Sequence, residues 1–529
     1  MHNFKLGQWG PITCPAPLVI NILSATYGRS NNSTCLLPLG STNNTNNCMV
    51  TGPSILNTVT GLCNGNTNCL FSGSAALGFY TIIGSTPVYA VGMYHLPGTD
   101  NYLTIATYSP SIPNDHLTYA TYIWSPTNPM VSQPINLTSS AACGGGAWLP
   151  NDYTLFAVPT NLTNSAQAPP PSVMTIPVDP WFQQDTVTGY YPMAFLLPDE
   201  MVVVLYDTYG GIINPMTGQL LAQLPSLGPY IHFESQFSAS WAPLMMSYEN
   251  NYTVAELFIV GGKYVPDPNA AFQTIQTLSA SSLSFRINIT VLGNGQYTVG
   301  AWQIEDSLIP RILADCTLLP NGVVLVTNGY QAGTWGYGNQ VLPASLTALY
   351  YTPSSPLGSR FSNGPTSTIP RGYHSEAALT TNGTVLITGN DRTPVGFVAE
   401  ILTPSYVLDP INVHPVISSV ASQGVSMSVP YSGALSLNLG SLINVYLANF
   451  ANGPNATNNI WATLASPSLT THSRNSGQRL TKLQPIASAD SSYVFQVPTV
   501  RGIIPAGWYM LFIMNGQVYS KSVWVTITY

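Results

Sequence analysis

The chain has 529 residues and a net charge of −7, and charged side chains make up only 6% of it, against about 25% in typical soluble domains. Its 13 Lys and Arg residues form no basic run, which excludes a nucleic-acid backbone as a partner. The uncharged stretch 30–99 is dense in Asn, Ser, Thr and Gly, so no transmembrane helix is predicted. The start MHNFKLGQWG lacks the apolar core of a signal peptide, so an exported chain would already have lost that peptide or begin further upstream.

A sugar coat could replace the missing surface charge, because Asn-x-Ser/Thr sequons are frequent in this chain. A chain rich in Asn and Thr also generates such triplets by chance. The predicted glycosylation sites are Asn31, Asn32, Asn43, Asn136, Asn161, Asn251, Asn288, Asn382 and Asn455.

The seven cysteines are unevenly distributed, since five fall in the first 70 residues and two stand apart, at Cys143 and Cys316. The early cluster predicts a disulfide-stapled N-terminal module that forms in an oxidising compartment. We therefore expect a secreted or cell-surface protein. The five early cysteines are Cys14, Cys35, Cys48, Cys63 and Cys69.

The segments ITCPAPLVINILSATYGRSNNSTC and GLCNGNTNC resemble the rhamnose- or galactose-binding lectin domain over residues 10–95. The resemblance implies a Cys63–Cys69 bridge; Cys35 and Cys48 lack their usual partners, and we expect them to pair with each other. It also makes Tyr27 and Arg29 weak candidates for sugar binding. The family's Asp-Pro-Cys segment, which forms part of its sugar pocket, and its closing Tyr-x-Cys segment are absent here, so these two residues do not establish sugar binding. The Tyr-Gly-Arg segment is more typical of a structural turn.

A recurring module follows the N-terminal region: a short apolar strand, a turn with Asn or Asp, and a Val- and Leu-rich strand. Each copy predicts a β-hairpin, and the interval of roughly fifty to seventy residues is close to that of kelch blades. We therefore predict an all-β protein with a lectin-like domain at 1–99, a β-propeller at 100–410 and a C-terminal immunoglobulin-like β-sandwich at 411–529. The copies are GAWLPNDYTLFAVP, MAFLLPDEMVVVLYDT, LMMSYENNYTVAELFIVGG, CTLLPNGVVLVTNG and AALTTNGTVLITGN.

Four further segments carry residues typical of a metal site. AACGGGAWLP places Cys143 before a glycine run, TGYYPMAF contains Tyr191, RGYHSEAAL contains Tyr373 and His374, and TTHSRNSGQRL contains His472. Without further information, Cys143 could be a small buried residue, and Tyr373 and His374 could be an ordinary strand pair, one facing the core and one facing out.

In this order along the chain, these segments resemble the galactose oxidase and glyoxal oxidase family of copper-radical oxidases, over about residues 105–529. The resemblance implies a seven-bladed propeller and one copper ion. It makes Cys143 and Tyr191 the thioether-linked radical cofactor and Tyr373 the axial ligand and base. His374 and His472, with both tyrosines, would bind the copper, and imidazole and phenolate suit Cu(II). If Cys143 is consumed in this way, six cysteines remain for pairing.

The resemblance implies a secreted oxidase that converts a primary alcohol or aldehyde, with O2, and releases H2O2. Departures leave its activity open: Gly189 and Tyr190 precede Tyr191 where the family has an arginine, although Arg371 and Arg479 persist. The alternative is a glycosylated coat, matrix or filament subunit that self-associates and reuses the oxidase scaffold, since fold alone does not fix function. A third hypothesis is a carbohydrate-binding protein that acts through the lectin-like module.

Overall fold

A computed structural model describes most of the chain after residue 192 and only short segments before it. The early segments are 9–13, 26–28, 49–51, 68–72, 78–85, 92–106, 120–135, 145–148 and 154–157. The later ranges are 193–206, 208–228, 231–232, 239–264, 272–335, 340–390, 396, 398–409, 413–450 and 459–529. None of the helices in these ranges has the length and apolar character needed to cross a membrane.

These ranges are almost entirely β-structure, which confirms the predicted all-β class. The strands before residue 225 are β1 Trp9–Thr13, β2 Thr26–Gly28, β3 Met49–Thr51, β4 Asn68–Ser72, β5 Gly78–Ser85, β6 Gly92–His95, β7 Tyr102–Ala106, β8 Ala120–Ser125, β9 Asn128–Ile135, β10 Gly145–Trp148, β11 Thr154–Ala157, β12 Met193–Leu196, β13 Val202–Tyr206, β14 Tyr209–Ile213 and β15 Leu220–Gln223. The strands from 231 to 404 are β16 Ile231–His232, β17 Ser240–Pro243, β18 Met246–Ser247, β19 Val254–Val260, β20 Lys263–Tyr264, β21 Leu283–Gly293, β22 Gln296–Val299, β23 Gln303–Asp306, β24 Asp315–Leu318, β25 Val324–Thr327, β26 Tyr330–Gly333, β27 Gln340–Ala344, β28 Thr347–Tyr351, β29 Phe361–Thr366, β30 Ser375–Leu379, β31 Val385–Gly389 and β32 Val398–Pro404.

The C-terminal strands are β33 Ile417–Ser422, β34 Val425–Ser428, β35 Leu435–Asn438, β36 Leu442–Leu447, β37 Ile460–Ala465, β38 Leu469–Thr471, β39 Arg474–Asn475, β40 Leu480–Lys482, β41 Gln484–Ala489, β42 Ser492–Gln496, β43 Gly507–Asn515, β44 Val518–Tyr519 and β45 Val523–Thr528. Helical structure among the described residues is limited to short pieces: α1 Phe272–Thr277, α2 Ser405–Leu408 and a 3-10 turn at Tyr248–Asn250.

The repeated module forms a series of antiparallel sheets, consistent with a β-propeller. Their strand orders are β12-β13-β14-β15, β17-β19-β21-β22, β24-β25-β28-β29 and β30-β31-β32-β5. Strands β24, β25, β30 and β31 are buried along their whole length, as expected where blades pack face to face. The number of blades stays a prediction, because residues 107–119, 136–144 and 158–192 lie outside the described part.

Turn chemistry explains the local hairpins. Between β30 and β31, Gly383 has φ +73°, and a Cβ there would overlap the ring of Tyr519. Only glycine combines that backbone conformation with such a close approach. The Asn-Gly turn thus fixes the register in which Leu379 pairs with Val385.

Two early strands join the larger domain. β5 pairs antiparallel with β32, closing the last described sheet of the repeats, and β6 begins the sheet β6-β7-β8-β9. The boundary predicted at residue 99 therefore falls after strands that pair outside the lectin-like module, and we propose that this module ends near residue 77. Its described strands pair as β1 with β4 and β2 with β3.

The C-terminal region is a β-sandwich, as the sequence predicts. One sheet runs β34-β33-β36-β42-β41, and the other runs β18-β40-β37-β43-β45-β35. An apolar core that includes Val420, Val445, Phe495 and Leu511 lies between them. β18 enters this sandwich from the repeat region and pairs parallel with β40.

One hairpin of the C-terminal region leaves the sandwich and inserts between the repeats. β38 pairs with β6 and packs against β30, and β39 packs against β24 and β17. The hairpin thus extends the sheet β39-β38-β6-β7-β8-β9 and contacts β17, β24 and β30, the first strands of three other sheets, so it lies where these strands converge. Its turn carries His472.

Candidate copper site

Tyr373 and His374 lie in a turn that leads into β30. The N–H of Ser375 donates to the carbonyl of Gly372 at 2.8 Å, and His374 has φ +62°. This left-handed conformation stacks the imidazole on the Tyr373 ring, with centroids 3.8 Å apart. The interpretation as a strand pair with opposite faces is therefore wrong: Tyr373 is 6% and His374 5% exposed, and both point the same way.

His472 reaches the same place from the inserted hairpin. Thr471 pairs with Arg474, so His472 and Ser473 are the two turn residues, with φ +51° and +64°. Positive φ at both central residues is typical of the type I′ turn that joins two twisted strands. His472 is 5% exposed, because the hairpin is enclosed by the inner strands.

The two imidazoles converge at one point. His374 Nε2 lies 3.0 Å from His472 Nε2, and the rings stand at 86° to each other. The Tyr373 ring lies 5.5 Å from that of His472, at 72°. Thr471 Oγ1 is 2.6 Å from His472 Nδ1; when Nδ1–H donates to this hydroxyl, the Nε2 lone pair is left for a metal.

The local electrostatics favour neutral imidazole. Burial lowers the pKa of His472 well below its usual range, and the neighbouring His374 and Arg474 lower it further. Neutral imidazole is the form that binds a metal. Two nitrogen ligands about 2 Å from one ion and at a right angle would stand about 2.8 Å apart, close to the observed separation, so these residues fit a copper ion.

The candidate ligands Tyr373, His374 and His472 differ from those of metal sites built from carboxylates or thiols. Among the residues described here, no three His, Cys, Asp or Glu side chains gather around a common point. The set instead combines two histidines with a tyrosine, which is chemistry suited to Cu(II).

Comparison with known proteins shows which family the chain resembles. The chain matches the model of the glyoxal oxidase N-terminus over residues 170–399 and that of the galactose oxidase-like early set domain over residues 415–527. Over residues 170–527 the chain is therefore similar to the glyoxal oxidase and galactose oxidase family. Residues 12–78 match the D-galactoside/L-rhamnose binding SUEL lectin domain, a range that ends at the first residue of β5.

Individual relatives support this assignment. Aldehyde oxidase GLOX of Vitis pseudoreticulata is 27% identical over 405 residues, covering 71% of this chain and 70% of that protein. Aldehyde oxidase GLOX1 of Arabidopsis thaliana is 25% identical over 348 residues, covering 64% of this chain and 54% of that protein. Galactose oxidase of Gibberella zeae is 28% identical over 214 residues, covering 39% of this chain and 27% of that protein.

A solved structure shows the same fold. A fungal alcohol oxidase of the AA5 family, in complex with copper, superposes with a TM-score of 0.56 at 16% sequence identity, covering 86% of this chain and all of that one.

Two arginines of the family-like motifs hold the scaffold together. Arg371 donates to Glu400 Oε2 at 2.9 Å, with both side chains 1% exposed, and to the Gly389 carbonyl at 2.6 Å. Arg479 donates to the carbonyls of Leu196 and Gly502. These guanidiniums bind the protein's own groups.

Sequence reasoning missed the groups packed around the tyrosine and histidines. The indole of Trp335 meets the Tyr373 ring edge-on, with centroids 5.7 Å apart. Asp315 accepts hydrogen bonds from Ser375 Oγ at 2.6 Å and Asn328 Nδ2 at 2.7 Å, and burial raises the pKa of Asp315 to about 7. Burial also raises the pKa of Glu376 well above its usual range, and nearby Asp315 raises it further, which favours the neutral carboxyl.

Several predicted residues lie outside the described residues. These include the thioether pair Cys143 and Tyr191, the sugar candidate Arg29 and the cysteines Cys35, Cys48 and Cys63; Cys69 and Tyr27 are described only as backbone, in β4 and β2. Six of the predicted sequons also lie there: Asn31, Asn32, Asn43, Asn136, Asn161 and Asn455.

Cys316 is the cysteine whose side chain is described, and it is a free thiol. It lies in β24, 3% exposed in the apolar core. The expectation that all six cysteines other than Cys143 could pair is therefore wrong. With Cys316 unpaired and Cys143 in a thioether, the five early cysteines cannot all pair among themselves, so cysteine parity no longer supports the thioether assignment.

Proposed function

We propose that this protein is an exported copper-radical oxidase, which oxidises a primary alcohol or aldehyde with O2 and releases H2O2. The observation that carries the proposal is the convergence of His374 and His472, from two different domains, within 3.0 Å beside Tyr373. Similarity to aldehyde and galactose oxidases supports the same reaction class. Export is inferred from the early cysteine cluster and the sequons.

His374 and His472 would hold the copper through Nε2, with Tyr373 and Tyr191 as the phenolate ligands. Copper bound there would polarise the substrate oxygen and accept one electron. Cys143 and Tyr191, joined by a thioether, would accept the second, because removing a C–H hydrogen and an O–H proton from an alcohol releases two electrons. Both electrons and both protons finally pass to O2, giving H2O2.

Tyr373 would act as the proton acceptor. Its ring lies between those of His374 and Trp335, so its orientation is fixed before substrate binds. A base held in this way needs no reorganisation when the hydroxyl proton is transferred to its oxygen. Burial of the three side chains excludes bulk water, which strengthens the electrostatic interactions inside the site.

The decisive experiment loads the purified protein with Cu(II) in air and measures three things. Electron paramagnetic resonance should show copper with nitrogen hyperfine coupling, and a peroxidase-coupled assay should detect H2O2 from primary alcohols or aldehydes. Peptide mapping should find the Cys143 and Tyr191 peptides joined and lighter by the two hydrogens lost on bonding. His472→Ala should abolish the copper signal, whereas His414→Asn, at a histidine held by backbone carbonyls, should retain it.

Absence of bound copper in the intact protein would refute the oxidase proposal. Bound copper together with a free Cys143 would show that the scaffold has kept its ligands and lost its cofactor. Either result would favour the structural alternative.

The second candidate function is that of an extracellular structural subunit that self-associates. Residues 413–450 contain no Asp, Glu, Lys or Arg, and Leu442 and Tyr446 are exposed on β36. Such a surface offers little charge repulsion between copies. Sedimentation analysis should find assemblies if this function holds, and a monomer at micromolar concentration would count against it. The lectin-like module could supply glycan binding under either proposal.

A further inference from the structure

An extra hairpin stands beside the copper ligands. β26 and β27 pair antiparallel between β25 and β28, which are neighbours in their blade, so the hairpin is an insertion. It carries Trp335 just beyond β26. Trp335 is partly exposed, unlike Tyr373 and the two histidines, and it presents its indole to the Tyr373 ring.

The base of this hairpin is firmly attached. Tyr330 exchanges backbone hydrogen bonds with Ile312 at 2.9 and 3.0 Å, and the N–H of Ala280 donates to the carbonyl of Gln331 at 2.7 Å. The side chains of Ala280, Ile312, Leu313, Tyr330 and Tyr373 form one apolar cluster, against which Trp335 and Ala344 pack. The described wall next to Tyr373 is thus apolar and aromatic.

Lys263 also attaches this hairpin to the rest of the protein. Its ammonium is fully buried and donates to the carbonyls of Gly333 and Ile275, both at 2.6 Å. One bond holds the end of β26, two residues before Trp335, and the other holds the last turn of α1. A cation that binds carbonyls at the end of a helix is electrostatically favourable, so Lys263 fixes the position from which the indole projects.

Two polar side chains near this wall, Arg371 and Asn390, are engaged in holding the protein together. Arg371 is paired with Glu400, and Asn390 Oδ1 accepts from the N–H of Gly372 at 3.1 Å. Recognition of a sugar depends on several polar groups directed at its hydroxyls. An indole and an apolar cluster instead suit a hydrocarbon or aryl group.

We infer that Trp335 forms the substrate-contacting wall at Tyr373 and that Lys263 is its positioning residue. The site then takes alcohols or aldehydes with an apolar or aromatic group next to the reacting carbon, in preference to sugars. This inference rests on the proposed oxidase function for the chemistry, whereas the binding preference can be measured without turnover.

The test uses the full, copper-loaded chain and three probes: benzyl alcohol, ethanol and galactose. Binding is followed by tryptophan fluorescence excited at a wavelength that benzyl alcohol does not absorb, and KM and kcat are measured by H2O2 release. Trp335→Ala should raise the Kd and KM of benzyl alcohol about tenfold, the loss expected for a ring contact and its buried area. The values for ethanol should change less than about twofold, because a two-carbon alcohol has little surface to place on the indole.

Two further variants separate positioning from general damage. Trp335→Phe keeps an aromatic wall and should raise the Kd for benzyl alcohol by no more than about threefold. Lys263→Met keeps the stem without the charge and should reproduce the selective loss of Trp335→Ala, with kcat and the copper resonance spectrum unchanged. Trp461→Phe, at an indole packed under Lys482, is the matched control and should alter neither binding nor KM.

The outcomes distinguish this inference from the oxidase proposal. Suppose that the chain binds copper and releases H2O2. The inference alone is then overturned if Trp335→Ala leaves benzyl alcohol binding unaffected, or if galactose binds more tightly than benzyl alcohol. Selective binding of benzyl alcohol that depends on Trp335, in a chain that binds no copper, would support the wall and refute the oxidase. If Lys263→Met weakens the binding of all three probes equally, Lys263 does not act by positioning Trp335.

Discussion

His95 makes the stability of the protein depend on pH in a way that can be calculated from its surroundings. It ends β6, 3% exposed, with its ring stacked 4.6 Å from that of Tyr102 and edge-on to Trp524 at 5.2 Å. Its Nε2 lies 3.0 Å from the carbonyl oxygen of Thr99. A carbonyl can only accept, so Nε2–H donates this hydrogen bond. The neutral ring fits the apolar contact between the sheet that contains β6 and the C-terminal sandwich.

The pKa of His95 falls from its ordinary 6.5 to about 4. Burial lowers this pKa by more than the Thr99 carbonyl and the nearby Asp100 raise it. The unfolded chain therefore takes up a proton at a higher pH than the folded one. The stabilising effect of the neutral ring is complete above about pH 6.5 and is lost as the pH falls towards 4. From these two values, the contribution of His95 to the free energy of unfolding drops by about 2 kcal/mol at pH 5 and about 3 kcal/mol at pH 4.

Replacing His95 with Phe tests this directly, because the aromatic stack is kept and the titration is removed. At pH 8 the variant should be about 1 kcal/mol less stable, since the Thr99 carbonyl loses its donor. At pH 4 it should be more stable than the wild type by about 2 kcal/mol, measured by urea denaturation. Tyr102→Phe, at the neighbouring ring, should show a difference that does not depend on pH. A constant difference between His95→Phe and the wild type from pH 8 to pH 4 would refute the reasoning.

Three further predictions concern other buried or exposed groups. Arg371→Met leaves Glu400 buried without its cation and should cost about 3–5 kcal/mol in urea denaturation, most of it recovered when Glu400→Leu is added; no recovery would contradict the pairing. Cys316 should not react with a thiol reagent in the native protein, because burial raises the pKa of its thiol to about 12, and it should react once the protein is unfolded. Glycopeptide mapping of the exported protein should find sugar at Asn251, which is exposed at the end of the 3-10 turn; an unmodified Asn251 would contradict this.

The sequence predicts local hairpins well, because their strands and turns are neighbours along the chain. The segments 316–329 and 377–390 form the hairpins β24–β25 and β30–β31 as predicted. The segment 244–262 does not: β19 pairs with β17, which begins before it, and β18 joins the C-terminal sandwich. The pairing of β5 with β32 spans more than 300 residues, and no local pattern encodes such a closure.

In the candidate site, too, the sequence predicts some features and not others. Family-like motifs identify Tyr373, His374 and His472, which the structure brings together. Their conformation was not predictable from alternation, because positive φ at His374 and His472 turns the side chains out of the strand pattern. Glu376 was overlooked because a carboxyl in a fully buried strand contradicts the usual preference for exposed acids. Trp335 is recognised only through its ring contact with Tyr373, which depends on the inserted hairpin.

The distribution of the proposed ligands would couple copper binding to the docking of two domains. His374 belongs to a sheet of the repeats, whereas His472 lies 98 residues later on a hairpin that leaves the C-terminal sandwich. Neither domain alone offers both nitrogens, so copper held by them would bind the docked state and should stabilise it, by about 2.7 kcal/mol at a free concentration one hundred times the Kd. Calorimetry should show Cu(II) raising the Tm of the wild type and of His414→Asn, and not that of His374→Ala or His472→Ala. An equal rise in all four proteins would mean that copper binds elsewhere, and the convergence of the two imidazoles would then be a packing contact.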